Sequence, residues 1–190
     1  MQCSSAGPLW LSLCCLELLL VSRDYRMNFL VRICCARVFL ISSVSESLLF
    51  YLYGSTIAPT AEIHCPLRFS HSRSIVIGGG VVFNPAGFAY IFNNVTIGKS
   101  SPMDRSESMP AFKGRSFFGV GSVVLGDVVS VGDVVFGANA FASNIKIPSS
   151  SSVIGFGQIR QGVFFDDVEY PFLPVRCDRL SRLFSLKYDS

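Results

Sequence analysis

The sequence predicts a mainly β protein wound as a parallel β-helix, with an α-helical segment in front and a short tail behind. Three observations carry this. From Ile57 onward, apolar residues recur every sixth position: at 57, 63, 69 and 75, at 77 and 83, and at 91 and 97. After a polar stretch the step resumes at 112, 118 and 124, and again at 136 and 142. The residue after the apolar one is often small, as in Ile77-Gly78, Ile97-Gly98, Phe118-Gly119 and Phe136-Gly137. Before Gly54 the apolar spacing is instead helical.

Residues 1–53 form the apolar helical segment. GPLWLSLCCLELLLV has no positive charge before it, is interrupted by Glu17 and has no small-residue cleavage site after it, so it does not read as a signal peptide. Residues 28–53 are apolar as well, but Arg32, Arg37 and Glu46 lie among them, and charge at bilayer depth is costly. Two helices packed on the rest of the chain are expected, with peripheral membrane contact through this segment as the alternative.

Residues 54–157 carry the repeat. If each hexad supplies one short strand and one turn, three hexads close a triangular coil. The apolar residue points inward, and a small neighbour fits the corner where a Cβ would clash. The step slips in phase twice and skips Ser130. A β-sandwich would space its turn signals about 8–12 residues apart, which fits less well. The stretch 98–112, GKSSPMDRSESMPAF, leaves the coil and returns. Past Ser149 the pattern weakens through VIGFGQIRQ, and 158–190 reads as a tail. There Leu180, Leu183, Phe184 and Leu186 share one helical face suited to covering the solenoid's open end.

The 190 residues make room for one domain, and the net charge of +3 is spread without a run of Lys or Arg, so nucleic acid is not an expected partner. Seven cysteines, at 3, 14, 15, 34, 35, 65 and 177, form no CxxC and read as reduced thiols in the cytoplasm. Only His64 and His71 are present, too few for a three-histidine zinc site, and no metal is expected.

The order of the pieces is that of a known group. An apolar helical start, the first coil TIAPTAEI, His71 six residues before an Ile-Gly, then IFNNVTIGK, a polar loop and GVGSVVLGDVVSVGDVVFGANAF follow one another. Over residues 20–156 this resembles the serine O-acetyltransferase group of hexapeptide-repeat acyltransferases, whose fold is the left-handed parallel β-helix. The resemblance implies an acetyl-CoA-dependent O-acetyltransferase, active as a homotrimer with sites between neighbouring β-helices, acting on L-serine or a related small acceptor.

By that resemblance His71 is the general base, and the chemistry agrees. A hydroxyl attacking a thioester must lose its proton, and a neutral imidazole is suited to take it. His64, beside an inward Ile at a turn, reads as structural. The substrate-binding positions fall on Thr56, Ser70 and Asn93. Here the chain departs from the group: Thr56 and Ser70 replace acidic residues, and Met109 in Ser108-Met109-Pro110 replaces a second histidine. Each departure bears on serine more than on acetyl-CoA. A sugar or surface-polysaccharide O-acetyltransferase and a catalytically inactive β-helix binding protein are therefore the alternatives. The group's cofactor groove falls on Gly119, Gly121, Gly137 and Ala138, with Lys146 in place of a lysine that the group carries where this chain has Asn144.

Overall fold

The computed structural model describes residue 20 and residues 22–101 and 108–162. Two helices lead, α1 (Arg23–Cys34) and α2 (Phe39–Tyr53). The Ser22 side chain caps α1 by accepting from the Tyr25 amide. Gly54, at φ 60°, closes α2 in the left-handed conformation that glycine adopts without strain. No helix among the described residues is long and apolar enough to cross a membrane.

Five coils follow. The first is β1 (Thr56–Ile57), β2 (Glu62–Ile63) and β3 (Leu67–Phe69); the second is β4 (Val76–Ile77), β5 (Val82–Phe83) and β6 (Ala89–Ile91). The third is β7 (Thr96–Gly98), β8 (Ala111–Phe112) and β9 (Ser116–Phe118). The fourth is β10 (Val123–Leu125), β11 (Val129–Ser130) and β12 (Val134–Phe136), and the fifth is β13 (Phe141–Ser143), β14 (Lys146–Ile147) and β15 (Ser151–Ile154). Strands at the same place in each coil pair in parallel, giving three flat faces: β1-β4-β7-β10-β13, β2-β5-β8-β11-β14 and β3-β6-β9-β12-β15. The chain then reverses, and β16 (Gln158–Gln161) pairs antiparallel with β15.

The hexad residues line the interior. On the first face Ile57, Ile77, Ile97, Val124 and Ala142 stack in register and are fully buried or nearly so. Phe83, Phe112, Phe118 and Phe136 fill the middle coils, with Phe112 edge-on to Phe118 at 5.0 Å and Phe118 stacked on Phe136 at 5.0 Å. Ser130, where the apolar step skips, is still an inward residue. It is fully buried, pairs in register with Phe112, and its hydroxyl donates to the Gly132 carbonyl at 3.0 Å. A small residue there leaves room for Phe112 and Phe136, whose centroids are 6.0 Å apart.

The two phase slips are insertions. Thr56 pairs with Val76 and Val76 with Thr96, a repeat of 20 residues, whereas Val123 pairs with Phe141, a repeat of 18. The extra residues sit at the corner between the third and first faces in the first coil, and between the second and third faces in the second.

Helix α1 lies across the open end of the first coil. Its apolar residues Met27, Val31 and Cys34 are buried over the core. Asn28 and Arg32, four positions apart on its polar face, meet main-chain oxygens that have no coil before them. Asn28 donates to Leu67 O at 2.5 Å, and Arg32 donates to Ile63 O at 2.8 Å and to Cys65 O at 2.5 Å. Unpaired buried carbonyls are costly, so this stripe does the work of a missing strand. Helix α2 turns Ser42, Ser45, Leu49 and Tyr53 inward and leaves Phe39, Leu40, Val44 and Tyr51 exposed.

Candidate functional site

The corner between the third and first faces is left-handed in each of the first four coils. Ser74, Asn94, Gly121 and Asn139 have φ of 54, 59, 70 and 54°. They stack because Asn94 N donates to Arg73 O, Gly121 N to Asn93 O and Asn139 N to Val120 O. In the first coil this corner also holds the two-residue insertion, and His71 belongs to it. His71 has φ 55°, a second left-handed residue where the hexad needs only one, and it is exposed. A non-glycine residue held there is strained, and such strain concentrates at functional sites.

The surroundings follow from the ladder. Ser70 N donates to Ile91 O, Phe92 N to Phe118 O, Gly119 N to Phe136 O and Gly137 N to Val153 O, so Ser70, Phe92, Gly119 and Gly137 line up across successive coils. The His71 ring lies 6.3 Å from Phe92, tilted by 47°. Phe92 in turn meets Tyr90 and Phe117 at 5.2 and 5.3 Å, and the Arg68 guanidinium lies 5.2 Å over the Tyr90 ring. Beyond Phe92 the line is bare backbone. A Cβ on Gly119 would come within 2.7 Å of the Ala138 nitrogen, so no side chain fits there. An apolar cluster of Phe92, Tyr90 and Phe117 thus stands beside His71, and past it the line continues as glycine backbone packed against the next coil.

The expected site residues separate into two groups. Ser70, His71 and Asn93 sit at this corner in adjacent coils, Thr56 is exposed at the start of the first face beside it, and Gly119, Gly121, Gly137 and Ala138 continue it along the solenoid. Lys146 is on β14, exposed on the second face in register with Val129, and is not at this corner. His64 follows β2, with its Nε2 3.9 Å from a Glu62 oxygen, and both side chains are exposed. Met109 lies against Gly80, at the corner between the first and second faces. Among the described residues no group of three or more His, Cys, Asp or Glu side chains is placed to hold a metal.

One contact was not foreseen from the sequence. Ser72, next to His71 and fully buried, donates from its hydroxyl to Asp24 Oδ1 of α1 at 2.8 Å. Its trace in the sequence is the four-residue spacing of Asp24, Asn28 and Arg32 on one helical face.

Hexad repeat, triangular coils and a corner of left-handed residues define a hexapeptide-repeat parallel β-helix protein. Solved structures with the same fold include serine acetyltransferases. That of Neisseria gonorrhoeae matches at a TM-score of 0.66 with 20% identity, covering 78% of this chain and 59% of that one. The soybean enzyme, complexed with serine, matches at 0.63 with 19% identity, covering 82% of this chain and 64% of that one. The Brucella abortus enzyme in complex with coenzyme A matches at 0.55 with 16% identity, covering 84% of this chain and 70% of that one. The chain therefore spans about three fifths of the gonococcal enzyme's length. No family model and no curated protein matches it.

Proposed function

We propose that this chain is an acetyl-CoA-dependent O-acetyltransferase with His71 as its general base. The observation that carries the reading is the placement of His71: an exposed imidazole on a strained two-residue insertion, beside Phe92 and at one end of the line that runs on through Gly119 and Gly137. The solved structures of this fold that hold coenzyme A or serine support it. The acceptor hydroxyl gives its proton to the imidazole as its oxygen bonds to the acetyl carbon; the carbon–sulfur bond breaks, and the imidazolium returns the proton to the departing thiolate. Acetyl-CoA would lie along Gly119, Gly121, Gly137 and Ala138, on the outer side of the corner where Val120 and Ala138 are exposed. The amides of Gly119, Gly121 and Gly137 are already committed to the ladder. Those of Val120 and Ala138 have no backbone partner among the described residues and are available to the developing oxyanion.

L-Serine or a related small alcohol is the acceptor, held by Thr56, Ser70 and Asn93. A sugar hydroxyl is the second reading, favoured by the lack of a carboxylate at Thr56 and Ser70 to meet an ammonium group. The working unit is a cytoplasmic homotrimer, its helical segment, β-helix and tail meeting at about residues 53 and 157. The test is release of free CoA thiol from acetyl-CoA with L-serine, measured on the wild type and on His71→Ala. The expected loss is roughly 100-fold or more in kcat. Full activity in His71→Ala would remove the proposal; silence in both proteins on serine but turnover on sugar acceptors would establish the second reading.

A further inference from the structure

We propose that Asp24 is a positioning residue for His71, acting through Ser72; the inference rests on the assignment of His71 as general base. The insertion that carries His71 lies outside the hexad ladder. The ladder bonds stop at Ser70 N, which donates to Ile91 O, and resume where Asn94 N donates to Arg73 O. Between them, the Ser72 hydroxyl bonded to Asp24 Oδ1 at 2.8 Å holds the loop. Ser72 is fully buried, so removing the Asp24 carboxylate, which reaches it from the exposed first turn of α1, leaves a buried hydroxyl without its acceptor.

Asp24 itself is held firmly. It lies in the first turn of α1, and four and eight residues further along the same face Asn28 and Arg32 fasten that helix to Leu67, Ile63 and Cys65 of the first coil. The last residue of α2 grips the other side of the insertion, since Ser74 N donates to Tyr53 O at 3.1 Å. The imidazole is thus mounted on a strained loop whose conformation is set from the helical segment. A base displaced by about 1 Å from its reacting geometry loses about 100-fold in rate, which gives the contact its leverage.

Asp24→Ala and Ser72→Ala are each expected to lower kcat by roughly 10- to 100-fold, with KM for acetyl-CoA changed less than about twofold. The double variant should lose no more than either single one, because both remove the same contact. Asp24→Asn keeps an oxygen that accepts from Ser72 and should restore most of the rate. Asn28→Ala removes one of the three bonds that fasten α1, leaves both Arg32 bonds in place and does not touch the insertion, so kcat should stay within about twofold. Amide hydrogen exchange at residues 71–73 supplies a readout independent of turnover: about tenfold faster in Asp24→Ala, unchanged in Asn28→Ala. If the wild type transfers acetyl to no acceptor, the catalytic assignment fails and the exchange pattern alone decides whether Asp24 holds the loop. Unchanged rate and exchange in Asp24→Ala, or equal effects in Asn28→Ala, would overturn the proposal.

Discussion

Replacing His71 by glycine separates the strain at this residue from the chemistry of its side chain. His71 sits at φ 55°, where an L side chain crowds the following carbonyl at a cost of about 1–2 kcal/mol. Glycine removes that crowding but leaves the unfolded chain about 0.5–1 kcal/mol more entropy to lose. The exposed ring's contact with Phe92, centroids 6.3 Å apart, accounts for about 0.5 kcal/mol at most. His71→Gly therefore comes out close to wild type in stability. His71→Ala loses the same ring and keeps the crowding, so it should be about 1 kcal/mol less stable than His71→Gly, or about 2–4 °C lower in Tm for a chain of this size. Both variants lack an imidazole and both should fail to release CoA thiol. Thermal melts of the three proteins in one buffer, followed by circular dichroism, give the ranking. A glycine variant less stable than the alanine variant would refute the account, because the left-handed conformation would then carry no penalty for a side chain to relieve.

Phe118 is fully buried with Phe112 and Phe136 rings 5.0 Å away, and Phe118→Ala should lower unfolding stability by about 3–5 kcal/mol, read from the urea midpoint. Gly119→Ala brings a Cβ within 2.7 Å of the Ala138 nitrogen and 2.8 Å of the Gly137 carbonyl carbon; these are main-chain atoms, so a loss of about 1–3 kcal/mol is expected in the same assay. Burial pushes the Cys34 thiol up to about 12 and the Cys65 thiol up to about 11, so both should resist alkylation at pH 8 in the folded protein and react on denaturation. Because the folded state binds these protons more tightly than the unfolded chain, stability is complete below pH 9 and declines as the pH rises toward 11 and 12; urea midpoints at pH 8 and 10.5 measure it.

The six-residue step made the interior legible because each inward residue is fixed by position alone: Ile57, Ile63 and Phe69, then Phe112, Phe118 and Val124, are all core residues. At the first insertion the step misleads. Ile75 lies six residues after Phe69 and is fully buried, yet Ile77 is the residue in register with Ile57. Both are apolar, so the sequence shows a slip in phase but not which residues were added, and the fact that His71 and Ser72 belong to an insertion stays hidden. Ser130 shows the opposite case, an inward position that hydropathy cannot mark because its hydroxyl is satisfied by its own turn. The polar stripe of α1 was illegible for a different reason. Asp24, Asn28 and Arg32 have the spacing of any solvated helical face, and only the Ser72 hydroxyl and the unpaired carbonyls of the first coil make them a binding surface. Lys146 was placed near the cofactor by distance along the chain, and in a solenoid a few residues are enough to turn a corner onto another face. The helix expected from Leu180 to Leu186 lies outside the described residues.

Among the described residues the polar stripe of α1 bonds to the first coil and its insertion, and β16 pairs with β15 on the last face of the fifth. The coils between them contact one another through the same register repeated, so the number of coils is a free parameter of the architecture. Eighteen residues inserted after the fourth coil would lengthen the molecule as one more link lengthens a chain, leaving both ends and the His71 corner as they are. The corner, by contrast, is counted from the helical end. It sits on the coil that α1 and α2 grip directly, so divergence can change the number of coils beyond the corner while His71 keeps its distance from the helices.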